Sequence, residues 1–96
     1  MTYRLDFKAQ KALHHDTLGD RLRALRQARN LTQKELGELS YTNQAVIQKI
    51  ENHKSLRPLM LKQIAEALRV PPVFLAYGIP ETVAAVKALH RHIDML

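Results

Sequence analysis

Gln44, Ala45, Gln48, Lys49 and Asn52 stand at intervals that place them on one flank of a helix. Wound at about 3.6 residues per turn, residues 44–52 put these side chains on one contiguous stripe and Val46, Ile47 and Ile50 on the opposite side. One flank can anchor in a core while the other holds carboxamides and one cation outward. Amide side chains of this kind can make paired hydrogen bonds to base edges in a DNA major groove. An outward glutamine on an isolated helix would be an ordinary exposed side chain. Its weight here comes from the elements that must hold it.

Those elements follow one another with almost no spacer. Thr32-Gln33-Lys34-Glu35 forms a capping box, with Leu36 and Leu39 as the buried side of the helix it opens. The chain turns at Ser40-Tyr41-Thr42, and Asn43 caps the helix carrying the stripe. Upstream, Thr17 caps a helix with Asp20 reaching back, Leu18, Leu22 and Leu25 line its apolar face, and Asn30 is a left-handed stop. Downstream, a polar connector over residues 53–57 leads to Pro58 at the first turn of a fourth helix, faced by Leu61, Ile64, Ala65 and Leu68. Pro71-Pro72 ends it and opens a fifth helix, with Phe74 and Leu75 inward, up to Gly78.

The two ends read differently. Tyr3, Leu5 and Phe7 alternate with Arg4, Asp6 and Lys8, a short period-two strand pattern, although a helix over residues 6–15 also fits. Residues 1–16 are therefore treated as an arm that pairs with a second copy, packs on the domain or stays mobile. Ile79, Thr82, Val86, Leu89, Ile93 and Leu96 are spaced three and four apart, a heptad seam with one polar interruption. It folds back on its own subunit or pairs with a second copy.

Ninety-six residues suit one domain, and the 46% apolar content argues against disorder. With only three glycines, two Phe and three Tyr, an all-α bundle fits better than a sheet. There is no cysteine, hence no disulfide framework and no thiolate metal site. His14, His15, His53, His90 and His92 lack metal-ligand spacing, and no nucleophile, base and orienting group stand together. Neither a metal, a cofactor nor catalysis is expected. No apolar run approaches the roughly 18 residues of a membrane span and no signal peptide opens the chain, so a cytoplasmic protein without membrane contact is the expectation. The net charge of +6 suits phosphate backbones. Residues 20–30 alone carry Arg21, Arg23, Arg26 and Arg29 against Asp20, which reads as a basic helix face.

Residues 18–78, about two-thirds of the chain, resemble the Cro/CI-type helix-turn-helix domain, the XRE family of lambdoid phage repressors and their bacterial relatives. The resemblance rests on LTQKELGELS, NQAVIQKIEN, KSLRP and LKQIAEALRVPPVFLAYG taken together. It implies that Gln33 bonds a DNA phosphate and braces the reading helix. Gln44 is implied as the principal base reader, with Ala45 and Lys49 at the two other common reading positions; Asn43 and Gln48 share the surface. Asn52, Lys54, Ser55 and Arg57 match the loop that grips the backbone. Arg26 and Glu51 match an internal ion pair seen in some phage repressors. Three residues depart from the pattern: Tyr41 and His53 stand where glycine is usual, and Gly37 where alanine is.

The expected architecture is a lambda-repressor-like helix-turn-helix bundle of about five helices over residues 17–78, with an N-terminal arm over 1–16 and an extra C-terminal helix over 79–96. The resemblance implies a bacterial or phage-encoded, nucleoid-associated regulator of transcription, a repressor that binds a palindromic operator as a homodimer. Two other readings stand open. One is an antitoxin that autoregulates its operon and binds a toxin; the other is a protein-interaction adaptor on the same scaffold.

Overall fold

A computed structural model describes residues 5–54 and 58–79. Six helices follow in chain order: α1 (Phe7–Leu13), α2 (Leu18–Ala28), α3 (Gln33–Leu39), α4 (Gln44–Glu51), α5 (Pro58–Leu68) and α6 (Pro72–Tyr77). Among the described residues there is no strand, and the all-α expectation stands. The heptad seam over residues 79–96 lies outside the described residues except for Ile79.

The five helices expected over residues 17–78 are α2 to α6. The starts of α2, α3 and α4 follow from side chains that accept the orphan N–H groups of a first turn, whereas α5 and α6 each open on a proline. Thr17 accepts from Asp20 at 3.2 Å, Thr32 from Glu35 at 3.0 Å, and Asn43 from Val46 at 3.0 Å. At Thr32 the box is complete, since Glu35 returns a bond to the Thr32 N–H at 2.9 Å. Asp20 makes no such return bond among the described contacts; its carboxylate lies 3.9 Å from His53 Nε2 instead.

The ends of α2, α3, α4 and α5 share one device. Asn30, Tyr41, His53 and Arg69 adopt left-handed backbone, with φ of 58°, 59°, 61° and 60°. At each, the N–H of the following residue reaches five residues back, as in Thr42 to Gly37 O at 2.8 Å and Lys54 to Lys49 O at 2.8 Å. This two-bond stop satisfies carbonyls the helix leaves orphaned, and glycine is its usual pivot. Three of the four pivots are neither glycine nor asparagine, and left-handed backbone costs such residues roughly 1–2 kcal/mol each. Tyr41 is 90% exposed and so gains little packing in return. Tyr41→Gly is therefore expected to stabilise the fold by about 1 kcal/mol, read as a rise in the urea midpoint at unchanged slope.

The core is one cluster in which Leu13, Leu22, Leu25, Leu36, Ile47, Ile64, Leu68 and Leu75 are fully buried. Complete burial of each such side chain is worth roughly 1.5–3 kcal/mol. One expectation is corrected and one alternative is decided. Of the two patterns left open at the N-terminus, residues 7–13 take the helix, with Asp6 accepting from the Ala9 N–H. Ala9, Ala12 and Leu13 are buried in the common core, so this stretch packs on the domain, the second of the three fates open to it. The alternation Leu5, Phe7 fails as a strand because Ala9, Ala12 and Leu13 carry the helical period; Phe7 is 70% exposed. Leu39, expected on the buried side of α3, is 55% exposed, because α3 ends there and the chain turns away.

Candidate nucleic-acid interface

The α3–turn–α4 unit is held together at very short range. A Cβ built on Gly37 would lie 2.5 Å from the carbonyl carbon of Asn43 and 2.8 Å from its Cα. The backbone of α3 thus touches the backbone that starts α4, with no side chain between. Ser40, 1% exposed, closes the turn by donating to Leu36 O at 2.8 Å and pairing its hydroxyl with Thr42.

On α4, Ile47, Ile50 and Glu51 are buried and Val46 is half-buried. Gln44, Ala45, Gln48 and Lys49 are exposed, as are Asn43 before the helix and Asn52 and Lys54 after it. The polar stripe drawn from helical spacing is therefore uncovered along its whole length. Asn43 Oδ1 accepts from the Val46 N–H and so caps α4. Ser55 and Arg57 lie outside the described residues.

Glu51 is the hub beneath the stripe. Its side chain is fully buried, and Arg26 grips it as a fork, Nε to Oε2 at 2.7 Å and Nη2 to Oε1 at 3.0 Å. Arg23 Nε adds a bond to Oε1 at 3.2 Å and Gln33 Nε2 another at 3.3 Å. Burial by itself would raise this carboxyl's pKa; the bond and charge of Arg26, helped by Gln33 and Arg23, outweigh that and hold it below the ordinary glutamate range. Glu51 in turn raises Arg26. The pair matched through the resemblance is thus present, and it ties α2, α3 and the last turn of α4 into one unit. Gln33 is half-buried, and its amide is turned toward Glu51 while it also lines an open groove of about 680 Å³ shared with Gln27, Asn30, Lys34 and Gln44.

Of the arginines in the α2 run only Arg23 is exposed; Arg21 is buried and Arg26 and Arg29 are half-buried. Arg21, 4% exposed, donates to Leu75 O at 2.8 Å, Ala76 O at 2.6 Å and His15 O at 2.9 Å. It caps the last carbonyls of α6, where a cation is favoured by the helix dipole. Arg29 binds Leu68 O at 3.0 Å and Asp6 at 2.8 Å, fastening α1 to the end of α5. All four arginines therefore have internal partners. Among the described residues, Lys34, Lys49 and Lys54 are exposed cations carried by α3, α4 and the loop that follows. Composition missed these structural roles, yet helical spacing held the signal: Arg21 lies three residues after Leu18, and Arg29 four after Leu25. Both fall on the flank that the leucines bury.

A family model described as helix-turn-helix matches residues 22–75. More than half of the chain is covered, and the chain belongs to that family, a class of DNA-binding modules and not of enzymes. It is also similar to the HTH-type transcriptional repressor RghR of Bacillus subtilis (strain 168), at 41% identity over 64 residues. That match takes in 65% of this chain and 47% of the relative, so the chain spans about half the relative's length. Helix α1 lies outside the matched family region.

Proposed function

We propose that this chain is a sequence-specific transcriptional regulator, a repressor that binds double-stranded DNA as a homodimer with α4 in the major groove. The observation that carries the reading is the uncovered stripe Gln44, Ala45, Gln48, Lys49 and Asn52, mounted on a helix whose other flank is locked into the core. Gln44 reads a base through its amide, Ala45 offers a methyl contact, and Lys49 reaches guanine or phosphate. The start of α3, with Gln33 and Lys34, and the loop after α4, with Asn52, Lys54, Ser55 and Arg57, clamp phosphates on either side. The repressor assignment draws on the name of the Bacillus relative.

One reading helix covers only a few base pairs, and a two-fold dimer on a palindromic operator is how such a helix gains affinity. Residues 79–96 are the segment proposed to join the two copies. Ile79 is half-buried, with its N–H directed at Leu13 O at 3.4 Å. Ile79, the last described residue, thus lies beside α1, whereas α4 packs on α3 and α2. A cytoplasmic, nucleoid-associated protein follows from this reading, and no described helix is long and apolar enough to cross a membrane.

The test is Gln44→Ala, assayed on the duplex that the wild-type chain selects from a random pool and on random duplex. The variant is expected to lose about 1–3 kcal/mol on the selected site and much less on random DNA. Equal losses on the two would remove Gln44 from base reading.

A further inference from the structure

The cluster at Glu51 holds two guanidiniums for one carboxylate, and one of them is weakly committed. We propose that Arg23 is a phosphate-binding residue that extends the clamp after α4 onto α2; this rests on the DNA-binding reading above. Arg26 satisfies both oxygens of Glu51 with bonds of 2.7 and 3.0 Å. Arg23 is left with Oε1 at 3.2 Å, an oxygen it shares with Arg26 and Gln33, and with the Glu51 backbone oxygen at 3.5 Å. Its Nη1 has no partner among the described hydrogen bonds. Exposure separates the two residues as well: the Arg23 side chain is 45% exposed, that of Arg26 14%.

Position completes the case. The Glu51 backbone oxygen belongs to the last turn of α4, so the guanidinium sits beside the point where α4 gives way to Asn52 and Lys54, both exposed. On the same side, His53 Nε2 lies 3.9 Å from Asp20, one turn before Arg23 on α2. A phosphate held by residues 52–54 comes within reach of a planar, permanently charged fork, the geometry best matched to a phosphate's oxygens. Turning Arg23 outward strands no buried charge, because Arg26 and Gln33 stay on Glu51.

The experiment measures the affinity of the full chain for its selected duplex between about 50 and 200 mM salt, for wild type, Arg23→Gln and Arg23→Lys. Each phosphate contact adds about 0.9 to the slope of log affinity against log salt. Arg23→Gln is expected to flatten the slope by about 0.9 and to weaken binding several-fold on selected and random duplex alike. Arg23→Lys keeps the slope, and both variants melt as folded proteins. An unchanged slope in Arg23→Gln, whether or not affinity falls, overturns the proposal and leaves Arg23 as a brace for α4. A wild-type chain that shows no salt-dependent binding to duplex overturns the DNA-binding reading itself, a different outcome.

Discussion

Arg26→Ala is expected to destabilise the fold by about 3–5 kcal/mol, the range for removing one partner of a buried ion pair. The loss has three parts: the fork on Glu51, the Nη1 bond to Leu31 O at 2.9 Å that fastens the link between α2 and α3, and the stranding of a fully buried carboxylate. Arg23 and Gln33 remain within bonding distance of Oε1, which places the expected loss near the lower end. Domains of this size have only about 5–15 kcal/mol of net stability. With each 1 kcal/mol moving the midpoint by roughly 4–8 °C, a thermal melt will show a drop of more than about 10 °C. A drop within about 3 °C would show that the pair holds nothing together.

The same pair sets a pH dependence whose sign is fixed by direction. The Glu51 pKa is lower in the folded chain than its ordinary value. Its contribution is therefore fully present above the ordinary glutamate range and is lost as pH falls through the folded value. Asp6, lowered chiefly by its bond from Arg29, and Glu35, lowered by the Thr32 backbone bond, act in the same direction. Stability should fall on acidification, and Arg26→Ala should flatten that fall.

Gly37→Val is the second substitution expected to do most damage. The added Cβ meets the Asn43 carbonyl carbon at 2.5 Å and the Gln44 nitrogen at 2.8 Å. These are backbone atoms, so no side chain can swing aside; α3 and α4 must separate. Forcing extra methyl groups into a packed contact costs about 1–3 kcal/mol or more, and valine's modest advantage over glycine in a helix, a few tenths of a kcal/mol, offsets little of it. Because the displaced atoms begin α4, the proposed reading helix, DNA affinity should fall even where the variant remains folded. Gly37→Ala brings the same Cβ contact without the two further methyl groups, set against about 1 kcal/mol of helix propensity regained, and is expected to cost less than Gly37→Val. Denaturant titration beside a binding assay reads both quantities. A Gly37→Val variant with wild-type stability would contradict the close approach.

The helix-turn-helix was legible because its signals are local. Thr32, Glu35 and Asn43 act within three residues of themselves, and the apolar spacing of Leu61, Ile64, Ala65 and Leu68 places each on the buried flank that the structure shows. The left-handed pivots at Asn30, Tyr41 and His53 were also visible, the last two as departures from glycine. Helix α1 was harder to read. Seven residues are too few to display much period, and burial of two alanines leaves a faint apolar signal beside the louder alternation of Tyr3, Leu5 and Phe7. Arg21 and Arg29 were misread for a different reason, whereas the Arg26–Glu51 pair was anticipated through the resemblance. Most of the partners of Arg21 and Arg29, the carbonyls of Leu75, Ala76 and Leu68 and the carboxylate of Asp6, are reached across 23 to 55 residues of sequence. A charge count cannot see an acceptor that only the fold brings near.

Gln44, Gln48 and Lys49 were placed by helical period alone, and the structure leaves all three exposed. What they meet in solution is decided by selecting ligands for the full chain from a pool of random duplexes. The pool is expected to converge on a short motif with two-fold symmetry, in half-sites about one helical turn apart, bound by two copies of the chain. A pool that stays random after repeated rounds would contradict the claim that α4 reads bases.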